Sequence, residues 1–285
     1  ENFYQKTVGS KASTPIEVID MGLRGFTRKI GILKDYNANF QCGQCHNAAN
    51  RYLTYKWFND DKPVRPEDLQ KAGVSPYATE FFKDPLESWA WFKSKGWHQG
   101  VNGTTGVHYV NGSDHPHVEI MLQSKHGQAG VTCTDCHFAR KADGKAEHQP
   151  SLVKLKVENT CMRSACHGPG SKSNWTDPGQ ALYTIEAIQQ EYRIRVQKME
   201  MAAKDAQRIF MKLKAGEASL PQEVKEKLET AYEKYLSARD WYLTDLSSGF
   251  HDPEGFNRTV SVVTWELRKT NAAAQSALKK TPVKQ

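Results

Sequence analysis

The sequence predicts a mainly α protein with little regular β structure. It divides into an N-terminal region over residues 1–178 organised around cysteine and histidine clusters and long antiparallel helices over 179–285. Two observations carry this. Beyond residue 178, apolar residues recur at intervals of three and four with Lys and Glu between them, as in Ile185, Ile188, Tyr192, Val196 and Met199. Before it, all six cysteines fall in three clusters, and each cluster ends in Cys-His.

Taken in order, Pro15 opens a predicted helix running through Ile19, Leu23 and Phe26 toward Ile32, with its apolar residues at helical spacing. Asn47–Phe58, with Tyr52, Leu53, Tyr55 and Trp57, reads as a second helix, and Pro66–Ala72 as a short one. The aromatic segment Pro85–Lys95 follows, then a Gly-, Asn- and Thr-rich stretch over 96–113 that reads as loop. In the second half, Gly179–Ala215 and Pro221–Leu246 read as long amphipathic helices joined by Gly216–Leu220. A third helix runs from Pro253 to about Leu278. Short connections between long helices predict antiparallel packing in a hairpin or bundle. The apolar stripes are read as core or as the interface of a homo-oligomer.

The clusters define the chemistry. They are Cys42-Gly43-Gln44-Cys45-His46, Cys133-Thr134-Asp135-Cys136-His137 and Cys161-Met162-Arg163-Ser164-Ala165-Cys166-His167. Two cysteines followed at once by histidine is the pattern of covalent c-type haem attachment, in which the thiols bond the porphyrin vinyl groups and the imidazole sits under the iron. A disulfide framework suits a short chain without a core, and this one is long enough to bury one. Zinc knuckles give no reason for a histidine after every second cysteine. In the third cluster four residues separate the cysteines, so the peptide must bulge to span the same vinyl groups. The expected cofactor content is three covalently attached haem c groups, making residues 1–178 a haem-packed trihaem region.

The formal charge of +7 suits a nucleic-acid binder at first sight, but the propionates of three haems nearly cancel it, so no nucleic-acid partner is expected. No apolar stretch is long enough to span a bilayer, in keeping with a mean hydropathy of −0.69. The sequence opens without a basic-apolar signal peptide, although c-type haem is attached outside the cytoplasm. It therefore reads as a processed or truncated form of a periplasmic or otherwise extracytoplasmic protein.

Iron ligands can be counted. His46, His137 and His167 are the proximal set. A second strong ligand closes an iron for electron transfer, and His126, His148 and His251 are the best distal candidates, with His115 and His117 next and His98 and His108 weaker. Ser113-Asp114-His115-Pro116-His117-Val118-Glu119 places metal-capable side chains on both sides of a proline. It reads as a reaction site, or else one of its histidines ligates a haem or lies on the surface.

The ordered set Cys42–His46, His115-Pro116 with Glu119, His126-Gly127 before Cys133–His137, His148 before Cys161–His167, and Gly249-Phe250-His251-Asp252-Pro253 after the long helices resembles a known family. It is similar to the C-terminal part of the pentahaem cytochrome c nitrite reductases and their octahaem relatives, which include the hydroxylamine oxidoreductases. The resemblance implies that His126 pairs with His167 and His251 with His137, and that His148 ligates a haem anchored elsewhere. It also implies that His46 takes its distal partner from a region absent from this sequence, and that His115 lies over a catalytic haem with Asp114 beside it. Asn47-Ala48-Ala49 stands where the nitrite reductases carry a glutamate and a tyrosine of a calcium site and active site, so a calcium site is in doubt. No attachment motif for the catalytic haem is present.

Two functions follow. One is a multihaem cytochrome serving a nitrite or hydroxylamine redox enzyme, its other haems coming from a second haem-bearing chain or a missing N-terminal region. The other is a self-contained trihaem electron carrier without a catalytic site. Both require redox partner proteins.

Overall fold

The computed structural model describes residues 16–23, 26–33, 39–43, 46, 82–94, 100–110, 115–138, 145 and 150–280. The helices expected over Asn47–Phe58 and Pro66–Ala72 lie outside the described residues.

The first element corrects the sequence reading. In place of a helix from Pro15 to Ile32, strand β1 (Ile16–Leu23) pairs antiparallel with β2 (Phe26–Leu33), in register from Ile16 opposite Leu33 to Leu23 opposite Phe26. Ile16, Val18, Ile19, Thr27, Ile30 and Ile32 are β-branched, and Gly22 and Gly31 weaken a helix. Only Arg24 and Gly25 separate the strands in sequence, a hairpin spacing. The few apolar residues at helical spacing fit alternation equally well, and β-branching decides between them.

Helix α1 (Asn39–Gly43) carries Cys42, and α2 (Pro85–Ser94) contains Trp89, Trp91 and Phe92. The Asp84 carboxylate accepts from the amides of Leu86 and Glu87, both at 2.9 Å, and so opens α2. Within the stretch expected to be loop, β3 (Gly100–Val101) and β4 (His108–Tyr109) form a two-residue antiparallel ladder. Three short helices follow: α3 (His117–Gln123), α4 (Lys125–Gln128) and α5 (Cys133–His137). A 3-10 segment over Pro150–Lys156 leads to the third cysteine cluster.

The long helices are α6 (Pro178–Lys214), α7 (Gln222–Leu243) and α8 (Pro253–Lys280). Asp177 caps α6 by accepting from the Gly179 amide at 2.8 Å, with Pro178 in the first turn where no N–H is needed. Ala202, Ala203 and Ala206 of α6, Tyr232, Leu236 and Trp241 of α7, and Val260, Val263 and Leu267 of α8 are buried in one core. Phe82, Phe92, Val107, Val110 and Ile120 belong to the same core, so the segment before residue 178 packs on the helices that follow it.

A buried carboxylate fastens α2 to α7. Glu233, whose side chain is 8% exposed, accepts from Trp89 Nε1 at 3.3 Å and pairs with Lys93. Glu233→Ala removes the acceptor of the Trp89 indole while Lys93 turns to water, and the expected loss is about 1 kcal/mol, read as a lower midpoint in denaturant. An unchanged midpoint would mean that the contact contributes nothing. Among the described residues, no helix is long and apolar enough to cross a membrane.

Candidate haem-binding site

The three clusters are tied together by backbone and side-chain bonds. The first sits against α3, where the Val118 amide donates to the carbonyl of His46 at 3.1 Å. Asn39, fully buried at the start of α1, accepts from the Cys133 amide at 2.7 Å and so ties the first turn of α5 to α1. Asp135 accepts from the Thr132 amide and hydroxyl, each at 2.8 Å, and from Arg163 of the third cluster at 3.2 Å. Burial pushes the Asp135 carboxyl up, but these donors together outweigh it and leave it below the ordinary carboxylate value.

The third cluster presents its histidine as the first does despite its longer spacer. The His46 amide donates to the carbonyl of Cys42 at 2.9 Å, and the His167 amide to the carbonyl of Cys161 at 3.0 Å. The additional residues are taken up by a local turn in which the amides of Cys166 and Gly168 both donate to the carbonyl of Arg163, at 2.8 and 3.0 Å.

No disulfide joins any of Cys42, Cys133, Cys136, Cys161 and Cys166. Cys45 lies outside the described residues, as do Asp114 and His148.

Two histidine pairs face each other. The ring centroids of His126 and His167 are 5.9 Å apart, and those of His137 and His251 are 6.1 Å apart. Two metal–imidazole bonds of roughly 2 Å each, with the ring radii added, separate such centroids by roughly 6 Å. Both pairs therefore fit an iron between them. In each pair one histidine has a ring nitrogen held by a polar neighbour, as the outer partner of a metal-bound imidazole would hold it. His167 Nδ1 lies 2.8 Å from the Ser173 hydroxyl, and His251 Nδ1 lies 2.9 Å from Asp245 Oδ1, which leaves Nε2 of each for the metal. Trp175 stacks on His167 at 4.5 Å, and its amide donates to the carbonyl of His167 at 2.8 Å. Burial, then His167 and His251, lowers His126 from its ordinary value and so favours the neutral, ligating imidazole.

The third histidine group differs. His46, His115 and His117 bring their ring nitrogens within 4.8 Å of one another, with His46 and His115 exposed. His46 and His117 face through Nδ1 atoms 3.4 Å apart, and their centroids, at 5.1 Å, are closer than in the two facing pairs. His117 also lies 5.7 Å from His251 and so stands between the first and second clusters. Burial pushes His117 down to about 4, with His251, His46 and His115 adding to the effect and Asp245 opposing it.

Sequence reasoning missed Asp245, Ser173, Trp175 and Asn39. Only Asp135 had a readable signal, since Thr132-x-x-Asp135 has the capping-box pattern. Asp245 and Ser173 each lie six residues from their histidine, with no motif joining them.

Repeated Cys-His clusters, two imidazole pairs at iron-spanning distance and a helical body define a multihaem c-type cytochrome. The profile of the family described as Cytochrome c552 matches residues 38–285, and the chain belongs to that family. Covalently bound haem is therefore its cofactor. A cytochrome c-552 of Bacteroides thetaiotaomicron is 26% identical over 138 residues, which is 44% of this chain and 22% of that protein. The cytochrome c nitrite reductase subunit NrfA of Nitratidesulfovibrio vulgaris is 24% identical over 223 residues, covering 74% of this chain and 40% of that protein. In fold the chain is similar to the nitrite reductase catalytic subunit of Desulfovibrio desulfuricans, with a TM-score of 0.60 at 20% identity over 85% of this chain and 48% of that one. The chain thus spans less than half the length of these relatives.

Proposed function

We propose that this chain carries three haem c groups and forms the electron-transfer portion of a nitrite- or hydroxylamine-converting multihaem enzyme outside the cytoplasm. Its further haems would come from another chain or from polypeptide preceding this sequence. The observation that carries the reading is the pair of imidazole separations, 5.9 and 6.1 Å, at the second and third clusters. The shared amide register of His46 and His167 supports counting the longer third motif as an attachment site.

In this reading His46, His137 and His167 are proximal ligands, His251 is distal at the second site and His126 at the third. When bound, haem supplies one-electron chemistry at potentials set by its ligands and surroundings. The chain's own residues orient the imidazoles, and the helical core keeps the clusters close. His148 would ligate a haem anchored elsewhere. His115 would donate a proton to a substrate N–O oxygen, with Asp114 holding its orientation. Redox partner proteins deliver or accept electrons, and the long helices provide a surface for homo-oligomerisation.

A self-contained trihaem carrier is the second reading. It is favoured by the nearness of His115 and His117 to His46, at 5.4 and 5.1 Å between centroids, which puts imidazoles of the same chain beside the first cluster. The haem-to-polypeptide ratio of the native particle separates the two, measured by pyridine haemochrome against quantitative amino-acid analysis with an intact mass of each chain. Three haems per chain with no other haem protein present supports the carrier. A higher ratio, or a co-purifying haem polypeptide, supports the enzyme, with nitrite and hydroxylamine turnover as its assay. Fewer than three haems overturns the count on which both rest.

A further inference from the structure

We infer that Asp245 is a positioning residue that tunes the second haem site, its buried carboxylate accepting the Nδ1–H of His251 so that Nε2 is presented to the iron as a stronger donor. The inference rests on the reading of His251 as a distal ligand. Asp245 follows α7 and is 1% exposed in its side chain, and its Oδ1 lies 2.9 Å from His251 Nδ1. A carboxylate behind a metal-bound imidazole fixes the tautomer and raises the basicity of the ligand, which favours the ferric over the ferrous state.

The loop around it is built to hold this contact. The Ser247 hydroxyl donates to Asp245 Oδ2 at 2.6 Å and its amide to Oδ1 at 3.1 Å, while the Gly249 amide reaches Oδ2 at 3.4 Å. The His251 amide in turn donates to the Ser247 hydroxyl oxygen at 3.0 Å. Gln189 of α6 clamps the loop from outside by donating to the carbonyl of Ser247 at 2.9 Å. Ser248 holds a left-handed backbone, φ 54°, uncommon for a residue with a side chain. Ser247 and Gly249 alone already satisfy a loop-knitting role for the carboxylate, so the bond to His251 is additional to it. The contrast within the molecule is informative, because His167 at the third site meets a neutral hydroxyl at the same nitrogen. The second haem should therefore be the harder of these two to reduce, as far as this bond sets the difference.

The test uses the haem-loaded chain, with the midpoint potentials followed by spectropotentiometry and the ligand field by electron paramagnetic resonance. Asp245→Asn keeps the shape and an acceptor oxygen but removes the charge. All haems should stay low-spin while one potential rises by roughly 59 mV, the equivalent of about a tenfold loss of ferric preference. Ser247→Ala removes a donor that offsets the carboxylate charge, so the same potential should fall. His251→Gly reports on the underlying assignment, because one haem should become high-spin. If His251→Gly does so but neither other variant moves a potential in its expected direction, the tuning role of Asp245 is wrong and the ligand assignment stands. If His251→Gly leaves every haem low-spin, His251 is not a ligand and the inference falls with that assignment.

Discussion

If His126 and His167 share a haem as proposed, Gly127→Ala and Gly168→Ala are each expected to strip that site of low-spin, two-histidine ligation. The two glycines directly follow the facing histidines His126 and His167, and both are sterically closed. A Cβ at Gly127 would lie 2.0 Å from the carbonyl oxygen of Met121, and one at Gly168 would lie 1.9 Å from that of Met162. In each case the obstacle is backbone six residues earlier, which cannot swing aside as a flexible side chain does. The absence of a side chain is what lets the chain turn tightly enough to bring the imidazoles to 5.9 Å. Overpacking of this kind costs roughly 1–3 kcal/mol or more. The displacement acts on ligand geometry as well, where a shift of an ångström breaks an iron bond. Electron paramagnetic resonance of the haem-loaded variants should show a new high-spin signal from one haem, together with a lower thermal midpoint. Variants that keep every haem low-spin at the native midpoint would show that the glycines do not set the approach of the histidines.

The sequence made some parts of this arrangement legible and hid others for identifiable reasons. The long helices were readable because their apolar period persists over many turns and Pro253 stands at a helix start. Their ends moved only slightly, from Gly179–Ala215 to Pro178–Lys214 and from Pro221–Leu246 to Gln222–Leu243. The earlier end of α7 has a cause, since Asp245 leaves helical geometry to gather donors from Ser247, Gly249 and His251. The hairpin of β1 and β2 was misread because a short apolar run carries two periods at once, and β-branching outweighed the helical one. The histidines were visible by type, but their facing in space could be anticipated only from the family resemblance. Asp245 and Ser173 were invisible because a carboxylate or hydroxyl behind an imidazole is a tertiary contact without a local motif. Gly127 and Gly168 could be located beside their histidines, but the clash that makes them necessary exists only in the folded backbone.

Trp241→Ala is expected to destabilise the protein by about 3–5 kcal/mol, the range for removing a buried tryptophan from a packed core. Trp241 is 1% exposed and heads the fully buried side chains by volume. It lies near the end of α7, in the core shared with α6, α8 and the earlier Phe82, Phe92 and Ile120. Asp245 and His251 follow α7 in the connection to α8, so if His251 is a distal haem ligand as proposed, melting these helices should release it at the same time. Helix loss followed by circular dichroism and ligand loss followed by the visible haem spectrum should share one lowered midpoint in the variant, as a single cooperative unit requires. Two separated midpoints would mean that the haem clusters survive without the helices, despite the common core. A loss well below 1 kcal/mol would mean that neighbouring side chains close the space left by the indole, at variance with interiors that relax only in part around such cavities.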